Sequence, residues 1–167
     1  MALNKPYGLE MFGAKLHHSV EKYLPSLAES LDCETLHQVH RLDKITSGIL
    51  LLAKTKVKHE YLTNLFRKRQ IQKTYWTIVN GTPQPSGGII NMPLCESKFG
   101  DKFRMTVVPV YEKKKSLQGP RKKIRMTSDI FPVVTEYKTL KEKENTALLE
   151  VTPVTGFKHQ IRAHLGE

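Results

Sequence analysis

The stretch that decides the fold is His40-Arg41-Leu42-Asp43-Lys44-Ile45-Thr46-Ser47-Gly48, followed at once by Ile49-Leu50-Leu51-Leu52-Ala53. Turn-forming residues precede a continuous apolar run, which is typical of a strand buried on both faces. Asp43 therefore stands close to the start of a core strand, with Arg41 and Lys44 beside it. Nearby cations favour the ionised carboxylate that a nucleophile needs. From these residues alone, an aspartate that forms a turn or a salt bridge is the favoured interpretation.

Apolar spacing predicts helices on both sides of this stretch. Residues 16–31 show helical periodicity, with Ser19 or His18 as the cap and Pro25 either kinking the helix or delaying its start. Residues 56–69 form the clearest predicted helix, and residues 158–165 form a short final one. The predicted apolar stripe of residues 56–69 consists of Val57, Tyr61, Leu62, Leu65 and Phe66, with basic residues on the other face.

Strands are predicted from β-branched and aromatic content. Residues 4–9 read as the end of a strand entering a turn, because Pro6 and Gly8 interrupt pairing. Further strands are predicted at residues 49–53, 71–79, 88–92, 103–110, 133–140 and 147–152. Strands dominate and strand–helix–strand alternation is rare, which favours an α+β fold with a mixed, mostly antiparallel sheet flanked by helices.

Size and charge limit the classes of protein to which this chain can belong. The chain has 167 residues, enough for one domain spanning 1–167, and carries 27 Lys and Arg against 16 Asp and Glu. This net charge of +11 indicates a polyanionic partner, most simply nucleic acid. No apolar run approaches the roughly 18 residues of a membrane span, and the start of the chain predicts no signal peptide. Cys33 and Cys95 form no CxxC pair, so we expect free thiols rather than a disulfide framework or a zinc site.

A cationic stretch at residues 112–128 has two interpretations of about equal weight. It is either a solvated loop or an arm that contacts phosphates. Its positive residues are Lys113, Lys114, Lys115, Arg121, Lys122, Lys123 and Arg125.

Four segments in order resemble the RluA family of RNA pseudouridine synthases. The segment from His40 to Gly48 is similar to the family signature HRLDxxTSG, and Asn4-Lys5-Pro6 with Gly8-Leu9 is similar to its NKPxGL opening. Lys73-Thr74-Tyr75 resembles the KxY strand and, in addition to the four, Thr135-Glu136-Tyr137 resembles the TxY strand. The last segment, from Thr155 to Leu165, resembles TGRxHQIRxHL. A single match would be weak, whereas four ordered matches across the chain are specific.

The resemblance implies a uridine-to-pseudouridine isomerase with the pseudouridine synthase catalytic fold. Asp43 is then the catalytic aspartate, acting at C1′ of the target uridine or assisting proton removal from its ribose. Arg162 pairs with Asp43 and holds it ionised, which suits a planar guanidinium. Tyr75 stacks on the flipped base and takes part in proton transfer from C5. Without the resemblance, Tyr75 would be a half-buried strand aromatic and Arg162 a surface cation.

The resemblance also implies a set of RNA-binding residues. Arg41 fills the gap left by the flipped uridine, whose unstacking costs a few kcal/mol, and His40 is assigned to positioning. The other members are Lys5, Lys73, Lys158, His159 and Gln160. Phe157 stands where the family has arginine, and Lys158 is the expected substitute. A lysine before His-Gln is similar to the mitochondrial branch of the family, so a mitochondrial location is expected, with the cytoplasm as the alternative.

The expected partner is structured RNA, whether rRNA, tRNA or mRNA, bound by a monomer. Isomerisation needs no cofactor, and the histidines lack carboxylate or thiolate partners at ligand spacing, so no metal is expected. Because family members continue beyond the last motif, we expect the natural chain to extend past Glu167. Two alternatives stay open: a non-catalytic RNA-binding or assembly module of the same fold, and an RNA-binding protein of unrelated fold. The first would be expected to lose one of Asp43, Tyr75 and Arg162, and the second does not explain four ordered motifs.

Overall fold

The computed structural model describes residues 1–13, 18–108 and 125–166, apart from the side chains of residues 99 and 125–128. Two compact units divide the chain, Met1–Ile71 and Gln72–Glu167, and each is described by itself. That the whole chain forms a single catalytic domain stays a prediction.

The first unit is built on a three-stranded antiparallel sheet in which β3 (Gly48–Ala53) lies between β1 (Ala2–Lys5) and β2 (His37–Gln38). The apolar run after Asp43 is thus a strand, as predicted. Leu50 and Leu52 have no exposed surface, but Ile49 is 70% exposed. The prediction that the strand is buried on both faces is therefore wrong at its first apolar residue.

Two helices accompany this sheet. Helix α1 (Val20–Ser30) begins after Ser19, whose hydroxyl accepts from the Lys22 N–H, and contains Pro25. Of the predicted span of residues 16–31, positions 16 and 17 lie outside the described residues. Helix α2 (Lys56–Arg67) ends two residues earlier than predicted, and Arg69 takes a left-handed φ of 58°. Its predicted apolar stripe is wrong at Val57 and Tyr61, which are 74% and 57% exposed.

The second unit contains a four-stranded antiparallel sheet in the order β4–β10–β9–β5. These strands are β4 (Tyr75–Asn80), β5 (Gly87–Ile90), β9 (Thr135–Lys143) and β10 (Thr146–Pro153). Strand β10 alternates buried and half-buried residues, and Ala147, Leu149 and Val151 form one apolar cluster. Ile161 and Leu165 of the last segment pack against that cluster.

A second sheet in the same unit has the order β7–β6–β8, with β6 (Leu94–Phe99), β7 (Lys102–Val107) and β8 (Arg125–Phe131). Strand β6 was not predicted. Strand β8 begins inside the predicted cationic stretch, whose residues 112–124 lie outside the described part of the chain. Leu94, Met105 and Val133 form the apolar cluster here, joined by Ala163 of α3 (Gln160–His164). Short helices and antiparallel sheets confirm the predicted α+β class. None of the described helices is long and apolar enough to cross a membrane.

Candidate active site

Asp43 lies in a tight turn immediately before β3. Its carbonyl accepts from the Thr46 N–H at 3.0 Å, and Gly48 starts the strand with a φ of 115°, a value that glycine adopts without strain. Leu42 is buried beside it, whereas Asp43 keeps partial exposure. The turn therefore anchors the backbone and leaves the carboxylate at the surface of the first unit.

Lys5 ties this turn to the N-terminal segment. Its ammonium donates to the carbonyls of Pro6 at 3.0 Å, Leu9 at 2.8 Å and, more weakly, Lys44 at 3.4 Å. The Gly8 N–H donates to the same Lys44 carbonyl at 2.9 Å. The three ammonium hydrogens thus have three carbonyl partners, and these join the segment after β1 to the residue following Asp43.

The surroundings of Lys5 conflict with its predicted role as a direct RNA ligand. The side chain has no exposed surface, and burial lowers its pKa while the nearby Asp43 carboxylate acts in the opposite direction. A cation without access to solvent does not reach a phosphate. Lys5 instead supports the loop and places a positive charge near Asp43.

His40 also has a structural task. Its Nε2 accepts from the Leu51 N–H at 2.9 Å, and its ring stacks on Phe66 with centroids 4.6 Å apart. Strand β2 ends two residues earlier at Gln38, so the imidazole takes the main-chain donor that the strand leaves. The predicted role of His40 in positioning RNA stays a prediction. Arg41, the next residue, is exposed.

The second unit carries the remaining predicted residues. Tyr75 is the first residue of β4, opposite Val151 in β10, and is half-buried. Lys73, two residues earlier, donates to the Thr155 carbonyl at 3.4 Å. Its ammonium lies so close to Gly156 that a Cβ there would be 3.1 Å from Nζ. The KxY segment and the Thr-Gly turn are therefore neighbours in the fold.

Gln160 is the centre of a buried hydrogen-bond network. Its Oε1 accepts from the Thr155 hydroxyl at 2.8 Å and from the Phe157 N–H at 3.1 Å. Its Nε2 donates to the Val134 carbonyl and to the Thr135 hydroxyl, both at 2.9 Å. A backbone N–H only donates and a carbonyl only accepts, so these two partners fix which end of the amide is oxygen.

His164 extends this network to the other end of α3. Its Nε2 faces the Met92 carbonyl at 2.9 Å and therefore carries the proton, while Nδ1 accepts from the Thr135 hydroxyl at 2.8 Å. Thr135 has no exposed surface and joins both ends of the helix. Thr135 and His164 were not predicted as site residues. The i, i+4 spacing of Gln160 and His164 could have indicated that they share one side of a helix.

Gln160 is among the predicted RNA-binding residues, and that role stays a prediction. The residue is 3% exposed, and both amide atoms are fully used within the unit. Gln160 supports the helix that carries Arg162, which is half-buried between Ile161 and Ala163. His159 precedes the helix with a left-handed φ of 54°.

Phe157, at the position where the family has arginine, is a packing residue. Its ring lies 5.1 Å from that of Phe131 and packs against the cluster around Leu94. Lys158 is exposed, and its Nζ is 3.8 Å from the Glu96 carboxylate, a long and solvated ion pair. Lys158 thus has the access to phosphate that Phe157 lacks.

An open cleft of about 470 Å³ in the second unit has His164 in its wall. Val79, Ile90, Tyr137, Leu149 and Leu165 give it a largely apolar wall, and neither Tyr75 nor Arg162 lines it. Among the described residues, no three His, Cys, Asp or Glu side chains come together as metal ligands would.

The structure brings the predicted residues together in two groups. Lys5, His40, Arg41 and Asp43 belong to the first unit. Lys73, Tyr75, Lys158, His159, Gln160 and Arg162 belong to the second. The meeting of Asp43 with Tyr75 and Arg162 in one pocket stays a prediction.

Comparisons with known proteins agree with the motifs. The chain is 38% identical to the mitochondrial pseudouridylate synthase RPUSD4 of Rattus norvegicus over 99% of its length and 45% of that protein. It is 31% identical to the dual-specificity RNA pseudouridine synthase RluA of Escherichia coli O157:H7 over 99% of this chain and 66% of that one. The chain thus spans about half the length of the mitochondrial relatives.

Solved structures give the same result for the fold. Human RNA pseudouridylate synthase domain containing 4 superposes with a TM-score of 0.81 at 38% identity, covering 98% of this chain and 59% of that one. Human RNA pseudouridylate synthase domain containing 1 superposes with a TM-score of 0.72 at 21% identity and with the same coverage, and this likeness supports the fold alone. A family model described as RNA pseudouridylate synthase matches residues 1–167. The chain belongs to the RNA pseudouridylate synthase family.

Proposed function

We propose that the chain isomerises uridine to pseudouridine in structured RNA, with Asp43 as the catalytic carboxylate. The observation that carries the proposal is the presence of Asp43, Tyr75 and Arg162 at the matching motif positions of a chain that fits the family over residues 1–167. A family member that had lost catalysis would be free to lose any one of the three.

The reaction breaks the N1–C1′ glycosidic bond, turns the uracil, forms a C5–C1′ bond and moves the proton of C5 to solvent while N1 gains one. Substrate and product are isomers, so no redox partner or group donor takes part. In this scheme Asp43 acts at C1′ or assists proton removal from the ribose. A carboxylate stabilises positive charge at an anomeric carbon in glycosidases, where the transition state resembles an oxocarbenium ion.

Arg162 is proposed to pair with Asp43 and aim it, and Tyr75 to stack on the flipped base and assist removal of the C5 proton. Both residues are half-buried, as a group that must meet substrate inside a pocket would be. Arg41 is exposed next to the catalytic turn, where a guanidinium could enter the gap in the RNA stack and offset part of the unstacking cost.

The substrate is proposed to be rRNA, tRNA or mRNA, and the location mitochondrial, with the cytoplasm as the alternative. Several relatives that are named mitochondrial support this location. RluA, a bacterial relative, is described as having dual specificity, which is compatible with more than one RNA target.

Asp43→Asn is the direct test. It keeps shape and hydrogen-bonding capacity but removes the charge. Tritium release from RNA labelled at uridine C5 should fall on the order of 10³-fold or more, as expected when a nucleophile is removed, while RNA affinity changes little. Asp32→Asn is the matched control, because Asp32 is exposed in the same unit and has a left-handed φ of 49° that asparagine tolerates.

Continued isomerisation by the Asp43→Asn protein would refute the catalytic assignment. If the unsubstituted chain bound RNA but released no tritium from any RNA tested, the alternative of a non-catalytic RNA-binding module would replace the proposal.

A further inference from the structure

The outer face of α2 is centred on exposed apolar and aromatic side chains. Residues 57, 61 and 68 follow each other at i, i+4 and i+11 along one side of the helix. Val57 is 74% exposed and Tyr61 is 57% exposed, and Lys68 continues the row. Isolated exposed apolar residues are common and need no explanation. Here, however, they form a row with charged neighbours, and we call this face, Lys56, Val57, Lys58, Tyr61, Arg67 and Lys68, the α2 surface.

Positive charge borders the row on both sides. Lys56 and Arg67 flank one edge and Lys58 the other, all of them exposed. Glu60 is the single carboxylate on this helix. In the described part of the chain, no carboxylate lies within ion-pair distance of these basic side chains. Their charge is therefore available to an external polyanion.

The exposed Tyr61 ring lies beside a cation. The Lys58 ammonium lies 5.5 Å from the centroid of Tyr61, within cation–π range. A base-stacking aromatic bordered by cations is the arrangement that binds unpaired RNA.

The location of α2 in the first unit links this surface to the catalytic turn. Phe66 stacks on His40, three residues before Asp43, so the helix ends beside the turn. His59, in the first half of the helix, instead faces the Gln38 carbonyl at 3.1 Å. Twelve helical residues extend about 18 Å, so the helix spans about that distance from its end beside the turn.

We infer that the α2 surface is a second RNA-contact site, which binds phosphates and stacks an unpaired base in the RNA segment flanking the target uridine. This inference rests on the proposed function only in taking RNA as the partner. The chemistry that recognises it is a phosphodiester chain with at least one unstacked base, which a loop or a single-stranded flank provides and a continuous duplex does not.

Binding by the catalytically disabled Asp43→Asn protein tests the inference without requiring turnover. The probe is a fluorescein-labelled RNA hairpin with a uridine-containing loop. Replacing Lys56, Lys58 and Lys68 by glutamine should raise Kd about tenfold and lower the slope of log K against log salt by about two to three. Glutamine favours helix nearly as well as lysine, so α2 should stay folded, which circular dichroism checks.

The matched control removes the same charge from another exposed surface. Strand β9 carries Lys138, Lys141 and Lys143, all exposed and interspersed with glutamates, and their replacement by glutamine should change Kd less than about threefold. Equal weakening by the two triple variants would mean that net charge alone matters and would overturn the inference. So would unchanged affinity in the α2 variant.

Variants of Tyr61 distinguish the contribution of base stacking to RNA affinity from that of charge. Tyr61→Ala should raise Kd for the hairpin about tenfold, leave binding of a continuous duplex unchanged, and be rescued by Tyr61→Phe. If the α2 variants instead lost binding to phosphatidylserine vesicles and kept RNA affinity, the surface would be a lipid contact and the inference would fail. Because Asp43→Asn protein is used throughout, a failure of the proposed catalysis leaves this result unaffected, and the reverse also holds.

Discussion

Two segments with proposed catalytic residues are held in place by different kinds of buried polar group. The turn with Asp43 is fastened by the Lys5 ammonium, which donates to three main-chain carbonyls. Helix α3 with Arg162 is fastened by the Gln160 amide, which has two donors and two acceptors as partners. One centre is charged and the other neutral, although both are almost completely buried.

The difference predicts unequal contributions to stability. A buried ammonium gains strong hydrogen bonds but loses its hydration, and the second effect offsets much of the first. A buried amide has a smaller hydration loss and here satisfies every partner. The neutral centre should therefore contribute more to the free energy of unfolding, and three measurements can test this comparison.

Gln160→Leu should have the largest effect. Leucine has a similar size but removes four hydrogen bonds and leaves the Phe157 N–H without its acceptor, while the Val134 carbonyl and the Thr135 and Thr155 hydroxyls keep their other partners. The free energy of unfolding should fall by about 3 kcal/mol, measured by urea unfolding followed by circular dichroism. Gln72→Leu, at an exposed position of the same unit, should change it by less than about 0.5 kcal/mol. Equal effects at the two positions would show that the network contributes nothing.

Lys5→Met should lower the free energy of unfolding by a smaller amount, about 1–2 kcal/mol. The carbonyls lose their donor, but the cost of burying a charge disappears with it. Lys22→Met on the exposed surface of α1 serves as the control. A loss equal to that of Gln160→Leu would contradict the contrast between charged and neutral centres.

The third measurement is the pH dependence of the difference in stability between the unsubstituted protein and Lys5→Met. In the folded protein, burial lowers the pKa of Lys5 below its ordinary value of 10.5. Between the lowered value and 10.5, the unfolded chain therefore binds more protons than the folded protein does. Stability of the unsubstituted protein should therefore rise with pH across this window relative to Lys5→Met. Below the window both states are protonated and the difference should stay constant. A constant difference up to 10.5 would show that the ammonium is not desolvated.

Gly156→Ala should have the smallest effect, a few tenths of a kcal/mol. The new Cβ would meet Nζ of Lys73 at 3.1 Å, and the flexible end of a lysine can move aside. Gly87→Ala is the contrasting variant, because its Cβ would meet the Tyr137 carbonyl oxygen at 3.3 Å, which is backbone within the sheet. We expect it to lose about 1 kcal/mol, and equal losses would argue against lysine movement.

Sequence motifs indicated the segments of the candidate site but not the role of each residue in them. Asp43, Tyr75 and Arg162 could be picked out because the family signature names their positions. Lys5 and Gln160 stand in the same motifs, yet some of their partners lie far along the chain: 39 residues separate Lys5 from the Lys44 carbonyl, and 26 separate Gln160 from the Val134 carbonyl. A motif marks a position without stating whether the side chain points to substrate or to the interior.

The limits for the fold have a similar origin. The strand after Asp43 and helix α2 could be predicted because their apolar runs are long. Strand β6 could not, because Ser97, fully buried, bonds the Thr106 hydroxyl of the neighbouring strand. Val57 and Tyr61 match a core pattern by period but face outward, since the period alone does not say which side of a helix meets the sheet.

The imidazole of His40 has a consequence for how the turn that contains Asp43 leaves the sheet. Where a strand stops pairing, an N–H group of the neighbouring strand normally loses its acceptor. Here the Nε2 atom of His40 accepts from the Leu51 N–H in place of a main-chain carbonyl of β2. The main chain can therefore diverge early, after only two paired residues, and carry Arg41 and Asp43 outward. This hydrogen bond exists only while that nitrogen bears no proton, because a protonated nitrogen would place two donors face to face.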